Sequence, residues 1–254
     1  MRRKGQNFLV DKGVLQRMAD YAELGPDDHV LEIGPGTGNL TEVLSQRAGR
    51  VYAIEVDRDL AARLEGRLEK VKIISGDALK VELPDCNKVV SNLPYQISSK
   101  ITYRLLHKSF HLAVLMYQKE FVRRMTAAVG AKDYGRLSVV IGHYARAEIL
   151  EYVPRMAFRP SPPVGSAIVR LRPRQDKPDV DHDSFMYLAA GLFSHRRKLL
   201  RSALLAMGVP GDSLICLDDS MLKRRVEGLL PDEIANMAKE MGSSPWSKAG
   251  TAHS

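Results

Sequence analysis

The chain has 254 residues, of which 44% are hydrophobic and 27% charged, so it can form a large core and is not disordered. Its net charge of +8 and isoelectric point near 9.5 favour polyanionic partners such as RNA or DNA. Two isolated cysteines, Cys86 and Cys216, exclude a disulfide framework, and without a recognisable signal segment or membrane-spanning run we expect a cytoplasmic protein.

Predicted strands and helices alternate through the first half of the chain. The predicted helices cover residues 12–23, 39–46, 58–69, 98–107 and 119–128. The predicted strands cover residues 29–33, 51–55, 71–75, 88–91 and 112–116. This alternation predicts parallel βαβ units and therefore an α/β fold with a Rossmann-like, doubly wound sheet. Two later extended runs, 139–149 and 167–171, are expected to complete the sheet as antiparallel edge strands.

The composition changes after Arg170. Residues 170–178 are polar and contain two prolines, which indicates a linker. Beyond the linker the pattern is helical and without strands, with helices predicted at 182–194, 196–207, 218–226 and 231–241. The sequence therefore predicts an α/β domain over residues 1–175 and a small all-helical domain over residues 176–254.

A glycine-rich loop follows the strand predicted at residues 29–33. It reads Glu32-Ile-Gly34-Pro-Gly36-Thr-Gly38, a Gly-x-Gly-x-Gly spacing that is shorter than the dinucleotide fingerprint. Bare backbone in such a loop lets a ligand approach closely. The spacing fits the adenosyl and methionine parts of S-adenosylmethionine better than a pyrophosphate, although an ordinary strand–helix turn is the alternative.

Polar residues follow the next three predicted strands. Glu55 can accept hydrogen bonds from ribose hydroxyls, and Asp77 from an adenine amino group, with Ala78 leaving room for the ring. Asn92 opens the tetrapeptide Asn92-Leu-Pro-Tyr95, in which an amide oxygen precedes an aromatic face on which a base can stack. Because ligands bind at the carboxyl ends of strands in open α/β sheets, these residues together predict an adenosyl-cofactor pocket with Asn92 at its reacting end.

With these motifs in view, the chain resembles the KsgA-type ribosomal RNA adenine dimethyltransferases, and its archaeal branch in particular. The resemblance runs from Gly5 to about Leu204. Its motifs are Gly5-Gln-Asn-Phe-Leu9, Glu32–Gly38, Glu55, Gly76-Asp-Ala78, Asn92–Tyr95, Gln118-Lys-Glu120, Phe158–Ser166 and Phe193-Ser-His-Arg-Arg-Lys198. The last two are the most specific, because general methyltransferases lack them.

The resemblance implies transfer of four methyl groups from S-adenosylmethionine to N6 of two adjacent adenosines, in the 3′-terminal hairpin of small-subunit rRNA. It implies a cofactor pocket lined by Asn7, Leu9, Gly34, Gly36, Glu55, Asp77 and Asn92. It implies that the target base is handled by Asn92, Leu93, Tyr95 and Phe158. No metal is required, because a sulfonium is already a good leaving group. We expect a monomer that acts on a pre-ribosomal small subunit.

Basic residues in the helical part suggest a phosphate-binding surface, for which a solvated helix face is the alternative. The candidates are Arg196, Arg197, Lys198, Arg201, Lys223 and Arg224, to which Arg2, Arg3 and Lys4 can be added.

Two other functions remain open at this stage. One is methylation of a single adenine in large-subunit rRNA, as in the related antibiotic-resistance enzymes, which share the pocket. The other is a ribosome-assembly factor that binds RNA and needs no intact Asn92 site.

Overall fold

The computed structural model describes residues 7–241. Nine strands are assigned within that range: β1 (Phe8–Leu9), β2 (His29–Ile33), β3 (Arg50–Glu55), β4 (Val71–Ser75), β5 (Lys88–Asn92), β6 (Leu112–Gln118), β7 (Ala145–Val153), β8 (Phe158–Arg159) and β9 (Ser166–Pro173). The α-helices of the same range are α1 (Lys12–Tyr21), α2 (Asn39–Arg47), α3 (Arg58–Leu64), α4 (Ser98–Leu106), α5 (Lys119–Met125), α6 (Arg136–Tyr144), α7 (His182–Ser194), α8 (Leu200–Ala206), α9 (Asp219–Leu222) and α10 (Pro231–Met241). None of these helices is long and apolar enough to cross a bilayer.

Seven strands form one sheet in the order β4-β3-β2-β5-β6-β9-β7. The pairs among β4, β3, β2, β5 and β6 are parallel, and β9 runs antiparallel to β6. The predicted α/β fold with a mostly parallel sheet is therefore confirmed. The central strands are apolar because both faces of the sheet are covered, as Val30, Val90 and Val114 illustrate with 0% exposure.

The chain reverses its direction of winding at β2. It proceeds from β2 through β3 to β4 on one side, and then returns to place β5 on the other side of β2. In open α/β sheets such a switch point creates a crevice at the carboxyl ends of the strands. The crevice here lies where β2 and β5 end, at Ile33 and Asn92.

The extended run predicted at residues 139–149 is wrong in its first half. Residues 139–149 were expected to be extended, but the structure forms α6 over Arg136–Tyr144 and begins β7 only at Ala145. The β-branched run Val139-Val-Ile141 favours a strand locally. In α6 these side chains are buried on nearly all sides, and apolar periodicity alone cannot distinguish a buried helix from a buried strand.

The chain divides into two compact units. One contains residues up to Val122 together with Arg146–Pro173, and the other contains Arg123–Ala145 together with the chain from Arg174 onward. One boundary between the units lies between Pro173 and Arg174, and residues 123–145 group with the helical unit, in which α6 packs against α7 and α10. The division into residues 1–175 and 176–254 expected from the sequence stays a prediction.

Candidate active site

The loop after β2 depends on glycine. Gly34, Gly36 and Gly38 have φ angles of 72°, 60° and 86°, in the left-handed region that other residues rarely adopt. A Cβ on Gly36 would come within 2.9 Å of the Phe8 ring, and one on Gly34 would lie 3.1 Å from Pro94 Cγ. The sequence motif is therefore required by both conformation and space, because the Phe8 ring and Pro94 leave no room for side chains at Gly36 and Gly34.

Glu55 connects the end of β3 to this loop. Its carboxylate accepts hydrogen bonds from the Gly36 N–H at 3.0 Å and from the Asp57 N–H at 2.9 Å, and the residue is 3% exposed. A carboxylate has about four acceptor positions, so these two bonds leave capacity for a hydroxyl partner. The residue predicted to hold a ribose therefore also orders the glycine loop.

Glu32 is a second buried acid, at the penultimate position of β2. The residue is 2% exposed, and burial raises the pKa of its carboxyl to about 8, with the nearby Glu55 adding repulsion and the Thr41 hydroxyl opposing the shift. Neither Glu32 Oε2 nor Thr41 Oγ1 has a hydrogen-bond partner within the described residues. Burial therefore favours the neutral form of this carboxyl.

Asp77 lies in the turn that follows β4. Its Oδ1 accepts a hydrogen bond from the Leu79 N–H at 2.9 Å, and its carbonyl accepts from the N–H groups of Lys80 and Val81. Asp77 is partly exposed and Ala78 is buried. The turn thus holds the carboxylate at the sheet edge where the sequence predicted an adenine.

Asn92 ends β5 with an unsatisfied acceptor. Its Oδ1 is buried and has no hydrogen-bond partner within residues 7–241. Buried polar atoms are almost always paired, so an orphaned one calls for a specific explanation. The following residue, Leu93, is 1% exposed and its N–H donates to the Met116 carbonyl at 3.2 Å, which fixes the backbone beside the orphaned oxygen.

Tyr95 is held by a hydroxyl contact that the sequence did not indicate. Its Oη lies 2.7 Å from Ser166 Oγ, at the start of β9, and Ser166 is 1% exposed. Burial raises the pKa of the Tyr95 hydroxyl, so the phenol stays neutral. Tyr95 as a whole is partly exposed.

Phe158 is placed differently from the prediction. It is 1% exposed and packs in the hydrophobic core with Leu9, opposite which it lies in the β1–β8 pair. An aromatic side chain in the core offers no free face to a base. Stacking by Phe158 would require the two short strands to separate, so Phe158 presents no face to a target base in this structure.

The segment before α1 covers the glycine loop. The Leu9 side chain is buried, while its carbonyl accepts a hydrogen bond from Asn39 Nδ2 at 2.8 Å. Asn7 is partly buried. The Phe8 ring lies against Gly36, although only its neighbours Asn7 and Leu9 were predicted to line the cofactor pocket. Phe8 belongs to the same motif, Gly5-Gln-Asn-Phe-Leu9, and could have been included on that basis.

The predicted RNA-binding cations separate into two groups. Arg196 binds Glu227 Oε2 at 3.0 Å and the Lys132 carbonyl at 2.8 Å, and Arg224 binds both carboxylate oxygens of Glu233. These two arginines stabilise the helical unit, and because their side chains remain 34% and 40% exposed their assignment to RNA binding stays a prediction. The other four candidates are exposed: Arg197, Lys198, Arg201 and Lys223. Lys223 also forms an ion pair with Asp219.

Residues 196–198 also lie outside the helix predicted for them. The structure has a turn there, between α7 and α8, and α8 begins only at Leu200. Arg2, Arg3 and Lys4 lie outside the described residues. The helical unit additionally contains a cavity of about 440 Å³ whose lining includes four cations, Arg124, Lys132, Arg136 and Arg196.

Comparisons of the sequence with known proteins identify the family to which the chain belongs. The family model described as "Ribosomal RNA adenine dimethylase" matches residues 1–242. A protein of Methanosarcina barkeri named "Probable ribosomal RNA small subunit methyltransferase A" is 47% identical over 246 residues, which cover 93% of this chain and 86% of the relative. A Thermococcus kodakarensis protein of the same name is 49% identical over 202 residues, covering 79% and 72%.

Two solved structures are also similar. A dimethyladenosine transferase from Plasmodium falciparum superposes with a TM-score of 0.84 at 28% identity, covering 93% of this chain and 98% of the other. The 23S rRNA methyltransferase ErmE gives a TM-score of 0.65 at 29% identity, covering 92% and 99%. The resemblance seen in the sequence motifs is confirmed, and the chain belongs to the ribosomal RNA adenine dimethylase family.

Proposed function

We propose that this protein transfers methyl groups from S-adenosylmethionine to N6 of two adjacent adenosines in the 3′-terminal hairpin of small-subunit rRNA, forming N6,N6-dimethyladenosine. Family membership and the names of the relatives support the substrate class. The observation that carries the proposal is the orphaned Asn92 Oδ1 at the switch point of the sheet, because an exocyclic amine is the donor that it lacks.

The residues present fit S-adenosylmethionine. Gly34 and Gly36 carry no side chains of their own, Glu55 has acceptor capacity for ribose hydroxyls, and Asp77 presents a carboxylate at the neighbouring strand end. When bound, the cofactor supplies a methyl group on a positively charged sulfur. We assign its pocket to Asn7, Leu9, Gly34, Gly36, Glu55, Asp77 and Asn92, with Phe8 as an added wall against the loop.

The chemical difficulty lies in the nucleophile. The lone pair of adenine N6 is delocalised into the ring, so the nitrogen must become tetrahedral before it attacks. Asn92 Oδ1 and the carbonyl of Leu93 or Pro94 accept the two N6 hydrogens in the proposed geometry. These acceptors stabilise the positive charge that develops on nitrogen, and they direct the lone pair outward. Water can remove the proton after transfer, so no dedicated general base is needed.

The target base must leave its stack before it reaches this edge of the sheet. Extrusion costs a few kcal/mol, and stacking on one aromatic ring returns about 1–3 kcal/mol. We assign that contact to Tyr95, whose ring is oriented by Ser166. Since Phe158 is in the core, its predicted contact with the base would follow a rearrangement of β1 and β8.

RNA outside the active site is proposed to contact the helical unit. The exposed cations Arg197, Lys198, Arg201 and Lys223 suit phosphate oxygens, which position an RNA without reading its sequence. We further propose that the substrate is presented within a small ribosomal subunit or its precursor in the cytoplasm.

The large-subunit alternative draws support from the similarity to ErmE, but the Plasmodium dimethyladenosine transferase is more similar in fold, and the relatives named above are small-subunit enzymes. Incubation with labelled S-adenosylmethionine and unmodified small or large subunits, followed by mass spectrometry of the RNA, separates the two. Dimethyladenosine at two adjacent positions of small-subunit rRNA is the expected result. Labelling of the large subunit alone would refute the proposal.

Asn92→Ala tests whether Asn92 Oδ1 accepts the N6 hydrogen in catalysis. The same variant tests the alternative that the protein is an assembly factor that binds RNA without catalysis. We expect turnover to fall about 10²–10³-fold, as when one oriented hydrogen-bonding group is removed from an active site, while RNA affinity changes less than about twofold. Ser99→Ala, at an exposed position on α4, is the matched control. Equal losses of turnover and RNA affinity would show that Asn92 holds the RNA or the fold, and full activity would exclude the mechanism.

A further inference from the structure

The turn that carries Asp77 is held from outside by one side chain. The Arg104 guanidinium donates to the Ala78 carbonyl at 2.5 Å through Nη1, and to the Val81 carbonyl at 2.7 Å through Nη2. Both carbonyls belong to the turn after β4, whose internal bonds run from the N–H groups of Leu79 and Val81 to Asp77. Arg104 therefore binds carbonyl groups of the turn, while Asp77 binds N–H groups of the same turn.

Arg104 is itself carried by a rigid element. It lies near the end of α4, which begins at Ser98, directly after the turn that contains Tyr95. Ile101 and Leu105 of this helix are buried, and Thr102 Oγ1 bonds both the Ser98 carbonyl and the buried Tyr117 hydroxyl, each at 2.6 Å. The base of the arginine is thus anchored independently of the turn that it holds.

The guanidinium suits this task better than another cation. Its planar fork directs two N–H groups at once, whereas a lysine ammonium is a single point on a flexible stem. The two carbonyls are three residues apart, so one fork spans the turn. Within the turn there is little room to adjust, since a Cβ on Gly76 would lie 2.5 Å from Val81 Cγ1. A change at Arg104 is therefore transmitted to Asp77 and Ala78.

We propose that Arg104 is a positioning residue that holds the Asp77–Ala78 turn in the conformation that recognises the adenine ring of the cofactor, and so sets adenosyl specificity without touching the cofactor. The inference rests on the proposed assignment of Asp77 to the adenine amino group. It links the helix that begins beside the target-base site with the turn that holds the cofactor base.

The test uses two ligands that differ at the 6-position of the base and, as a consequence, in the protonation of N1. S-adenosylhomocysteine and its inosyl analogue, in which a carbonyl replaces the amine, are titrated calorimetrically against the full chain and its variants. Arg104→Met is expected to weaken adenosyl binding roughly tenfold and to bring the adenosyl-to-inosyl ratio towards one. Arg104→Lys is expected to restore part of the ratio, and RNA affinity is expected to stay unchanged.

The control variants separate the possible failures. Lys100→Met, at an exposed position one turn earlier on α4, should leave the ratio at the wild-type value. Asp77→Ala should abolish the ratio, and Arg104→Met/Asp77→Ala should be no worse than Asp77→Ala alone. If Asp77→Ala preserves the adenosyl-to-inosyl ratio, Asp77 does not recognise the adenine amino group, and the proposed role of Arg104 is refuted as well. If Asp77→Ala abolishes the ratio and both Arg104 variants retain it, only the inference is overturned.

A second measurement addresses the turn directly. Amide hydrogen exchange at Leu79 and Val81, whose N–H groups bond to Asp77, should accelerate in Arg104→Lys while exchange in β3 and β5 is unchanged. Uniform acceleration across the sheet, with an unchanged ligand ratio, would identify Arg104 as a purely structural residue and refute the proposal.

Discussion

Glu32→Gln is the most informative single change in the buried part of the site. Gln has nearly the shape of the neutral carboxyl that the structure implies, so the variant removes a titration and little packing. Burial raises the pKa of Glu32 to about 8, against 4.5 for a free glutamate. Because the folded state binds the proton more tightly than the unfolded chain, the associated stability is complete below pH 4.5 and is lost as pH rises through 8.

The magnitude follows from these two pKa values. Between pH 4.5 and pH 8 the folded state holds nearly one more proton than the unfolded state, which corresponds to about 1.4 kcal/mol per pH unit. From pH 6.5 to pH 9 the wild type should therefore lose roughly 2 kcal/mol of unfolding free energy that Glu32→Gln does not lose. Groups that titrate in both proteins cancel in the comparison.

The assay is urea unfolding followed by circular dichroism at intervals from pH 5 to pH 9. The difference between wild type and Glu32→Gln should grow steadily above pH 5 in favour of the variant. Glu42→Gln, at an exposed position on α2, is the matched control for the substitution itself. A pH-independent difference for Glu32→Gln would mean that Glu32 is ionised at neutral pH, and the description of a neutral carboxyl below the glycine loop would be wrong.

Three further predictions concern other residues. Ser166→Ala should lower kcat several-fold and raise the ratio of monomethylated to dimethylated product. It should have no added effect in a Tyr95→Phe background, because both substitutions remove the same 2.7 Å contact between the two hydroxyls. Additive effects in a double-mutant cycle would exclude a role of this contact in turnover. Arg197→Glu/Lys198→Glu should lower the slope of log affinity against log salt by about 0.7–0.9 per lost phosphate contact, and an unaltered slope would remove these residues from the RNA surface. Burial lowers the pKa of His143 to about 4, so the wild type should lose roughly 2 kcal/mol of stability between pH 7.5 and pH 5 relative to His143→Phe, and parallel pH profiles would contradict this.

The parallel core of the fold could be predicted because each of its strands is an apolar run bounded by turn residues. The strand bounds His29–Ile33 and Val71–Ser75 were predicted to the residue, as were α7 and α10. The two-residue strands β1 and β8 could not be predicted, because they show no periodicity and exist only through pairing across about 150 residues of chain. Burial of Phe158 accompanies that pairing.

The sequence could not predict, for a different reason, which arginines form ion pairs within the fold and which are exposed. Arg196 and Arg197 are adjacent in the chain and chemically identical, yet one is committed to Glu227 and the other is exposed. The distinction depends on which carboxylates the fold brings near, and a cluster of basic residues in the sequence carries no information about that. Motif residues fared better: Asn92, Glu55 and Asp77 all lie at the predicted strand ends.

Unsatisfied polar atoms mark the site more directly than any cavity does. Among the described residues, buried side-chain atoms without partners belong to Glu32, Thr41, Asn92 and His143. Three of these lie on β2, α2 and β5, around the switch point of the sheet, whereas His143 lies in the helical unit among the rings of Tyr144 and Phe185. An orphaned atom alone is therefore not evidence of function. What distinguishes the three is their place, because they lie on the elements that meet at the glycine loop and at the switch point of the sheet, where ligands bind in open α/β sheets.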